Sequence, residues 1–212
     1  RQPSPFYKHG MASSYSRESH KGGGAWFDNM DRGQYVRTDT RDGRTEHVLA
    51  DLSGPGAVTR IWSANPTLTN TVRFYFDGES APRLAAPLAE LFSGRLAPFG
   101  PVFSYVSGTG GNLYFPLPFS RSLQVTIEQK DTPVRLYYEI GHRQYEAGTR
   151  VETFDPKRAG LLAAEAAEVA LALSVPRPAL MPGDEQWVTA QLVSPPGATR
   201  TIPELAGPKV DF

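Results

Sequence analysis

No cysteine occurs among the 212 residues. Disulfides, thiol nucleophiles and thiolate metal sites are therefore excluded, and the fold must rest on its core or on oligomer contacts. A cysteine-free chain fits either side of a membrane. The expected compartment is secreted, periplasmic or cell-surface, with the cytoplasm also compatible. No run of about 18 apolar residues exists, which excludes a spanning helix, and no membrane partner is expected. Neither charge sign is in excess: 22 basic residues face 22 acidic ones. Without a basic block, a nucleic-acid partner is not expected. The four histidines, His9, His20, His47 and His142, lack metal-ligand spacing. There is no Gly-x-Ser-x-Gly elbow. Gly108-Thr109-Gly110-Gly111-Asn112 lacks the Lys and following helix of a phosphate loop. No cofactor is expected. A structural calcium at the glycine loops stays open, although no EF-hand-like spacing appears. The start, Arg1-Gln2-Pro3-Ser4-Pro5, lacks an initiator Met and a signal peptide. It reads as a mature end after processing or as a boundary within a longer chain.

What is present is punctuation. The 19 prolines and 20 glycines are spread between apolar segments, a pattern of many short strands joined by turns. Period-two alternation places Val72, Phe74 and Phe76 on one face, with Arg73, Tyr75 and Asp77 on the other. It does the same for Leu123, Val125 and Ile127, and for Val134, Leu136, Tyr138 and Ile140. Further strands are expected at about 34–39, 45–52, 57–64, 101–106, 112–116 and 144–152, with turns at Asp42-Gly43, Gly54-Pro55-Gly56 and Asp77-Gly78. One helix breaks the pattern. Asp155 caps it and Pro156 takes its first position. Leu162, Ala166, Val169 and Leu173 then form one apolar stripe, expected to pack beneath a sheet. The segment 196–208 echoes 43–55, both ending in Leu-x-Gly-Pro, as if a second copy of the β domain begins near residue 184. The expected organisation is an irregular lead-in over 1–33, a β-sandwich over 34–153, a linking helix over 154–175 and the incomplete start of a second sandwich over 176–212. An incomplete domain exposes strand edges. The chain is thus expected to continue in a longer protein or to be completed by a partner.

The segment Gly23-Gly24-Ala25-Trp26-Phe27-Asp28-Asn29-Met30-Asp31 points to carbohydrate. An indole covers the apolar C–H face of a sugar, while neighbouring Asp and Asn side chains bond its hydroxyls. Glycosidic cleavage commonly uses two carboxyl groups, and the candidates are Asp28, Asp31, Asp51, Asp77, Glu79, Glu128 and Glu139. Asp77 and Glu79 read as a solvated hairpin end. Glu128 and Glu139 read as solvated or paired across strands. Asp28 and Asp31, three apart, either contact ligand or hold the loop by Asx-turns. Trp62, within a strand, reads as core more readily than as a ligand platform. The Asn112 amide either holds a sugar hydroxyl or pins the glycine loop.

Six segments in register over roughly 11–155 together resemble one family. They are Ser13–Arg17, Trp26–Asp31, Val48–Val58, Phe74–Glu79, Gly110–Phe119 and Leu136–Ile140. The set is similar to a bacterial family long described as a domain of unknown function. That family is now grouped with glycoside hydrolases acting on difructose dianhydrides and D-arabinofuranosides (family one hundred and seventy-two). The resemblance implies an all-β chain: a jelly-roll β-sandwich with one linking helix, then the start of a second jelly roll. It also implies a homotrimer or hexamer, and retaining hydrolysis of furanosides by two glutamates near a subunit interface. Those glutamates belong to a later part of the family's sequence and have no counterpart in this chain, so no catalytic residue is assigned here. Carried over as substrate-binding or site-shaping are Trp26, Asp28, Asn29 and Asp31, with Arg17 and Asn112 beside them. Ser16 stands where many members have an Asp. The leading reading is the N-terminal part of a furanoside-active hydrolase, with the remainder of the protein or a complementary chain as partner. The alternatives are a non-catalytic carbohydrate-binding jelly roll and a capsid-like assembly protein.

Overall fold

In the computed structural model, residues 5–20, 22 and 28–174 are described. Trp26 with the glycines before it, and the segment 176–212, lie outside the described residues. Eleven strands follow in order: β1 (Tyr7–Ser13), β2 (Arg37–Arg41), β3 (Arg44–Ser53), β4 (Gly56–Ser63), β5 (Thr71–Phe76), β6 (Leu84–Pro87), β7 (Ser104–Ser107), β8 (Gly110–Leu113), β9 (Leu117–Phe119), β10 (Ser122–Gln129) and β11 (Tyr138–Tyr145). The helices are α1 (Leu88–Leu91), α2 (Pro156–Leu161) and α3 (Ala163–Ser174).

One sheet runs β1-β11-β4-β8-β7, with β9 also on β4; the other runs β2-β3-β10-β5-β6. All these pairs are antiparallel, and one set of them nests. The first strand pairs with the last, β3 with β10, β4 with β8 and β9, and β5 with β6. A long hairpin rolled onto itself gives this order, which is the jelly-roll winding. The β-branched and aromatic residues of the alternating runs meet between the sheets. Phe74, Phe76, Leu123, Val125 and Ile127 are completely buried there, facing Ile61, Leu113, Leu117 and Ile140. Each fully buried side chain of this size contributes on the order of 2 kcal/mol. Asp42 (φ 48°) and Gly43 (φ 76°) are both left-handed, giving the two-residue hairpin between β2 and β3.

Several expectations shift. The lead-in over 1–33 contains β1, an edge strand on β11. Its inward positions are Gly10 and Ala12, too small to give an apolar signature. The separate strands expected at 134–140 and 144–152 are one strand, β11; the extended residues before it still alternate, burying Val134 and Leu136. The helix starts as expected, with the Asp155 carboxylate accepting from the Lys157 amide at 2.8 Å and Pro156 following. It then breaks at Leu162, and no α3 residue is buried. Leu162, Val169 and Leu173 are 48, 51 and 60% exposed. The sheets already cover each other's inner faces, and Phe99, Phe115 and Phe154 pack together beside them. The stripe instead borders a groove of about 420 Å³ against Phe103, Phe115 and Phe154.

Candidate functional site

The N-terminal loop leaves β1 and is tied back to its exit. Ser14 extends the ladder: its amide donates to the Tyr138 carbonyl, and its hydroxyl accepts from the Tyr138 amide, both at 3.1 Å. Two residues on, Ser16 is 1% exposed. Its amide donates to Asp31 Oδ1 at 2.7 Å, and its hydroxyl donates to Asp28 Oδ2. Both carboxylates therefore close the base of the loop on one buried serine. That is the loop-holding arrangement, and it leaves Asn29 and Met30 exposed between them. The return path is pinned as well. Gly33 donates to the Leu136 carbonyl at 3.0 Å, Arg32 Nε to the Arg135 carbonyl at 3.2 Å, and the Tyr35 hydroxyl to the Val134 carbonyl at 2.5 Å. The Tyr35 ring stacks on His47 at 4.3 Å. Burial pushes the Tyr35 hydroxyl up to about 12, against a smaller opposing effect of its backbone hydrogen bonding, so it remains a donor.

Arg17 is exposed, donates to the Tyr15 carbonyl and stacks on the Tyr15 ring at 4.2 Å. It also lies toward the Tyr138 hydroxyl. Burial raises the pKa of that hydroxyl, while the guanidinium opposes the rise. Asn112 is distant from this loop in sequence but sits on β8, with Trp62 and Tyr105 as its cross-strand neighbours. Its Nδ2 donates to the Gly110 carbonyl at 3.3 Å, so it pins the glycine loop. The position of Trp26 relative to these residues lies outside the described part of the chain.

The remaining candidate carboxylates have cationic or hydroxyl partners. Arg37 reaches Asp51 at 2.6 Å, Arg73 reaches Glu128 at 2.7 Å and Arg60 reaches Glu139 at 2.5 Å. Glu79 pairs with Arg83. Asp77 is not part of a solvated hairpin end. It accepts from the Arg121 amide at 2.6 Å, the Ser122 amide at 3.1 Å, the Ser120 hydroxyl at 3.0 Å and the Thr153 hydroxyl. Burial opposes its charge, but these donors outweigh burial and hold its carboxyl below the usual range, the reverse of what an acid catalyst needs. Among the described residues, no group of three or more His, Asp or Glu converges as a metal site, and no helix is long and apolar enough to cross a membrane.

Trp62 departs from the core expectation. A bulge skips Thr59, so that Arg60 pairs with Gly141 but Val58 pairs with His142. This change of phase keeps Val58, Ile61 and Ser63 inward and turns Arg60 and Trp62 out. Tyr105 and Tyr114 stack beside them, with ring centroids 6.3 Å apart and planes 20° from parallel.

No curated protein matches the chain. Among solved structures it is similar to a GH87 alpha-1,3-glucanase catalytic domain, a point variant in complex with tetrasaccharides, at 11% identity and a TM-score of 0.26. The likeness covers 68% of this chain and 29% of that one, so this chain spans less than a third of that structure. At that level it supports no reading of fold or function. A family match covers about three quarters of the chain. The GH172 first beta-sandwich domain aligns with residues 5–160 and includes all eleven strands and the 14–31 loop; the chain belongs to glycoside hydrolase family GH172.

Proposed function

We propose that this chain is the N-terminal jelly-roll part of a glycoside hydrolase acting on α-D-arabinofuranoside or α-D-fructofuranoside linkages, in an extracytoplasmic compartment. The family match over residues 5–160 carries this reading. The sandwich contributes one wall of the sugar site and contacts within a trimer or hexamer, and the catalytic glutamates come from outside residues 1–212. In this reading the Ser16–Asp28–Asp31 closure holds the loop so that Trp26 and Asn29 meet the sugar, with Arg17 and Asn112 at its margins. Side chains held in position lose less freedom on binding than mobile ones.

The test uses the full-length protein with an aryl α-D-arabinofuranoside and a difructose dianhydride. Hydrolysis with retention of configuration is the expected result, and absence of turnover on every furanoside offered removes the substrate assignment. Residues 1–212 alone are expected to show no turnover. Hydrolysis by that purified segment would show that the acid and nucleophile lie within it. Trp26→Ala in the full-length protein is expected to weaken furanoside binding by about tenfold, through lost ring area and C–H contact. Unchanged affinity by calorimetry takes Trp26 out of the site.

A further inference from the structure

The outer face of the β1-β11-β4-β8-β7 sheet carries an ordered row. Glu139, Trp62, Asn112 and Tyr105 are consecutive cross-strand partners on β11, β4, β8 and β7. Residues paired in this way share a face, and three strand intervals span about 15 Å. Arg60 lies in the next row, opposite Gly141, and its guanidinium bonds Glu139 at 2.5 Å and lies 5.9 Å from the Tyr114 ring. Tyr105 and Tyr114 stack with 36 and 43% of their surface open. Glycine keeps the row low: a Cβ on Gly110 would sit 2.7 Å from Trp62 Nε1, so the indole rests against bare backbone.

We propose that this face binds the distal sugars of an oligosaccharide or polysaccharide through Trp62, Tyr105 and Tyr114, as a platform adjoining the loop site. It rests on the carbohydrate reading given above. Two stacked, open tyrosines, a partly open indole and an ion pair suit a ligand that is apolar on its ring faces and hydroxylated at its edges, while Asn112, 9% exposed, holds the strands beneath them. A subunit contact fits less well, because interface centres are depleted of charge and here the Arg60–Glu139 ion pair lies on the face beside Trp62. The row continues to Ser13 on β1, the partner of Glu139, and β1 leads directly into the 14–31 loop. A chain lying along the row thus approaches the loop from the β11 side.

The test is the Tyr105→Ala/Tyr114→Ala double variant of the full-length protein. Both residues are exposed, and a melting temperature close to the parent's verifies folding. Affinity electrophoresis and calorimetry would use linear furanosidic and pyranosidic oligosaccharides of four to eight units. The expected result is an affinity at least fivefold below the parent for the longer ligands, with aryl-furanoside turnover unchanged. Trp62→Phe, which keeps a ring, is expected to retain more affinity than Trp62→Ala. Equal affinities in parent and double variant overturn the proposal, as does a parent that binds none of these oligosaccharides. A change in oligomeric state by sedimentation with glycan affinity intact also overturns it and makes the face a subunit contact. Furanoside turnover without a Tyr105/Tyr114 effect defeats the platform alone. Glycan binding through these tyrosines without furanoside turnover defeats the substrate assignment alone.

Discussion

Glu46→Ala is expected to lower unfolding free energy by about 3–5 kcal/mol, the loss typical of removing one partner from a buried charge cluster. Glu46 lies on the outer side of β3 yet is completely buried. Its carboxylate accepts from the Tyr75 hydroxyl at 3.0 and 2.9 Å and from the Thr126 hydroxyl at 2.7 Å. Arg44 and Arg73 stand 3.5 and 3.6 Å away. Arg73 Nη1 is buried and makes no hydrogen bond of its own among the described residues, so this carboxylate is its counter-charge. The Tyr75 ring is in turn covered by the Arg41 guanidinium at 4.3 Å. Truncation at Glu46 leaves two hydroxyls and the Arg73 Nη1 unmatched in a place water reaches poorly. Glu46→Gln keeps hydrogen-bonding capacity and loses only the charge, so its loss is expected to be smaller. Urea unfolding measures both variants. An alanine loss under about 1 kcal/mol would mean that solvent enters and replaces the carboxylate.

Asp77→Ala is expected to cost about 3 kcal/mol near neutral pH, from charge-assisted hydrogen bonds lost at four donors and from a left-handed backbone position given to alanine. Asp77 has φ 51°, a conformation that Asp tolerates better than Ala. Its donors come from the β9–β10 corner and from Thr153, so one side chain ties the end of β5 to two distant segments. The pH dependence has a definite sign. The folded pKa of Asp77 lies below its ordinary value of 3.8, so the native state binds fewer protons than the unfolded state. The stabilisation is complete above the unfolded value and is lost as pH falls through the folded one. In the parent, the acid limb of stability below about pH 4 therefore contains an Asp77 contribution. In Asp77→Ala that limb is shallower. Denaturation midpoints from pH 2 to 7 provide the comparison, and parallel acid limbs would show that the Asp77 charge contributes nothing to folding.

The sandwich was readable wherever a strand has one wet and one dry face. Runs such as 123–128 and 134–140 declare which residues go inward because water enforces period two. Sites where the backbone changes phase were not readable. A straight count from Val58 puts Trp62 inside; the extra residue Thr59 turns it out, and nothing in the local composition signals the bulge. Glu46 was hidden for a different reason, because a charged residue on an outer face is ordinarily solvated. Arg44 on its own strand, Arg73 two strands away and the Tyr75 and Thr126 side chains together remove it from water. At the loop, the three-residue spacing of Asp28 and Asp31 suggested that they act together. Their shared partner, Ser16, lies a dozen residues before Asp28, where periodicity has no reach. The same holds for Asp77, whose donors are more than forty residues away.

The nested pairing also has a consequence in time. Because the partner of β1 among the described residues is β11, the contact that anchors the 14–31 loop spans nearly the whole sandwich in sequence, from Tyr7 with Tyr145 to Ser13 with Glu139. Such long-range closure is slow and entropically costly. On a ribosome, β1 emerges first and must wait until residue 145 has left the tunnel. Until then it is an unpaired strand, exposed to pairing with other chains. The loop that β1 carries is thus among the earliest parts of the sandwich to be synthesised and among the last to be set in place.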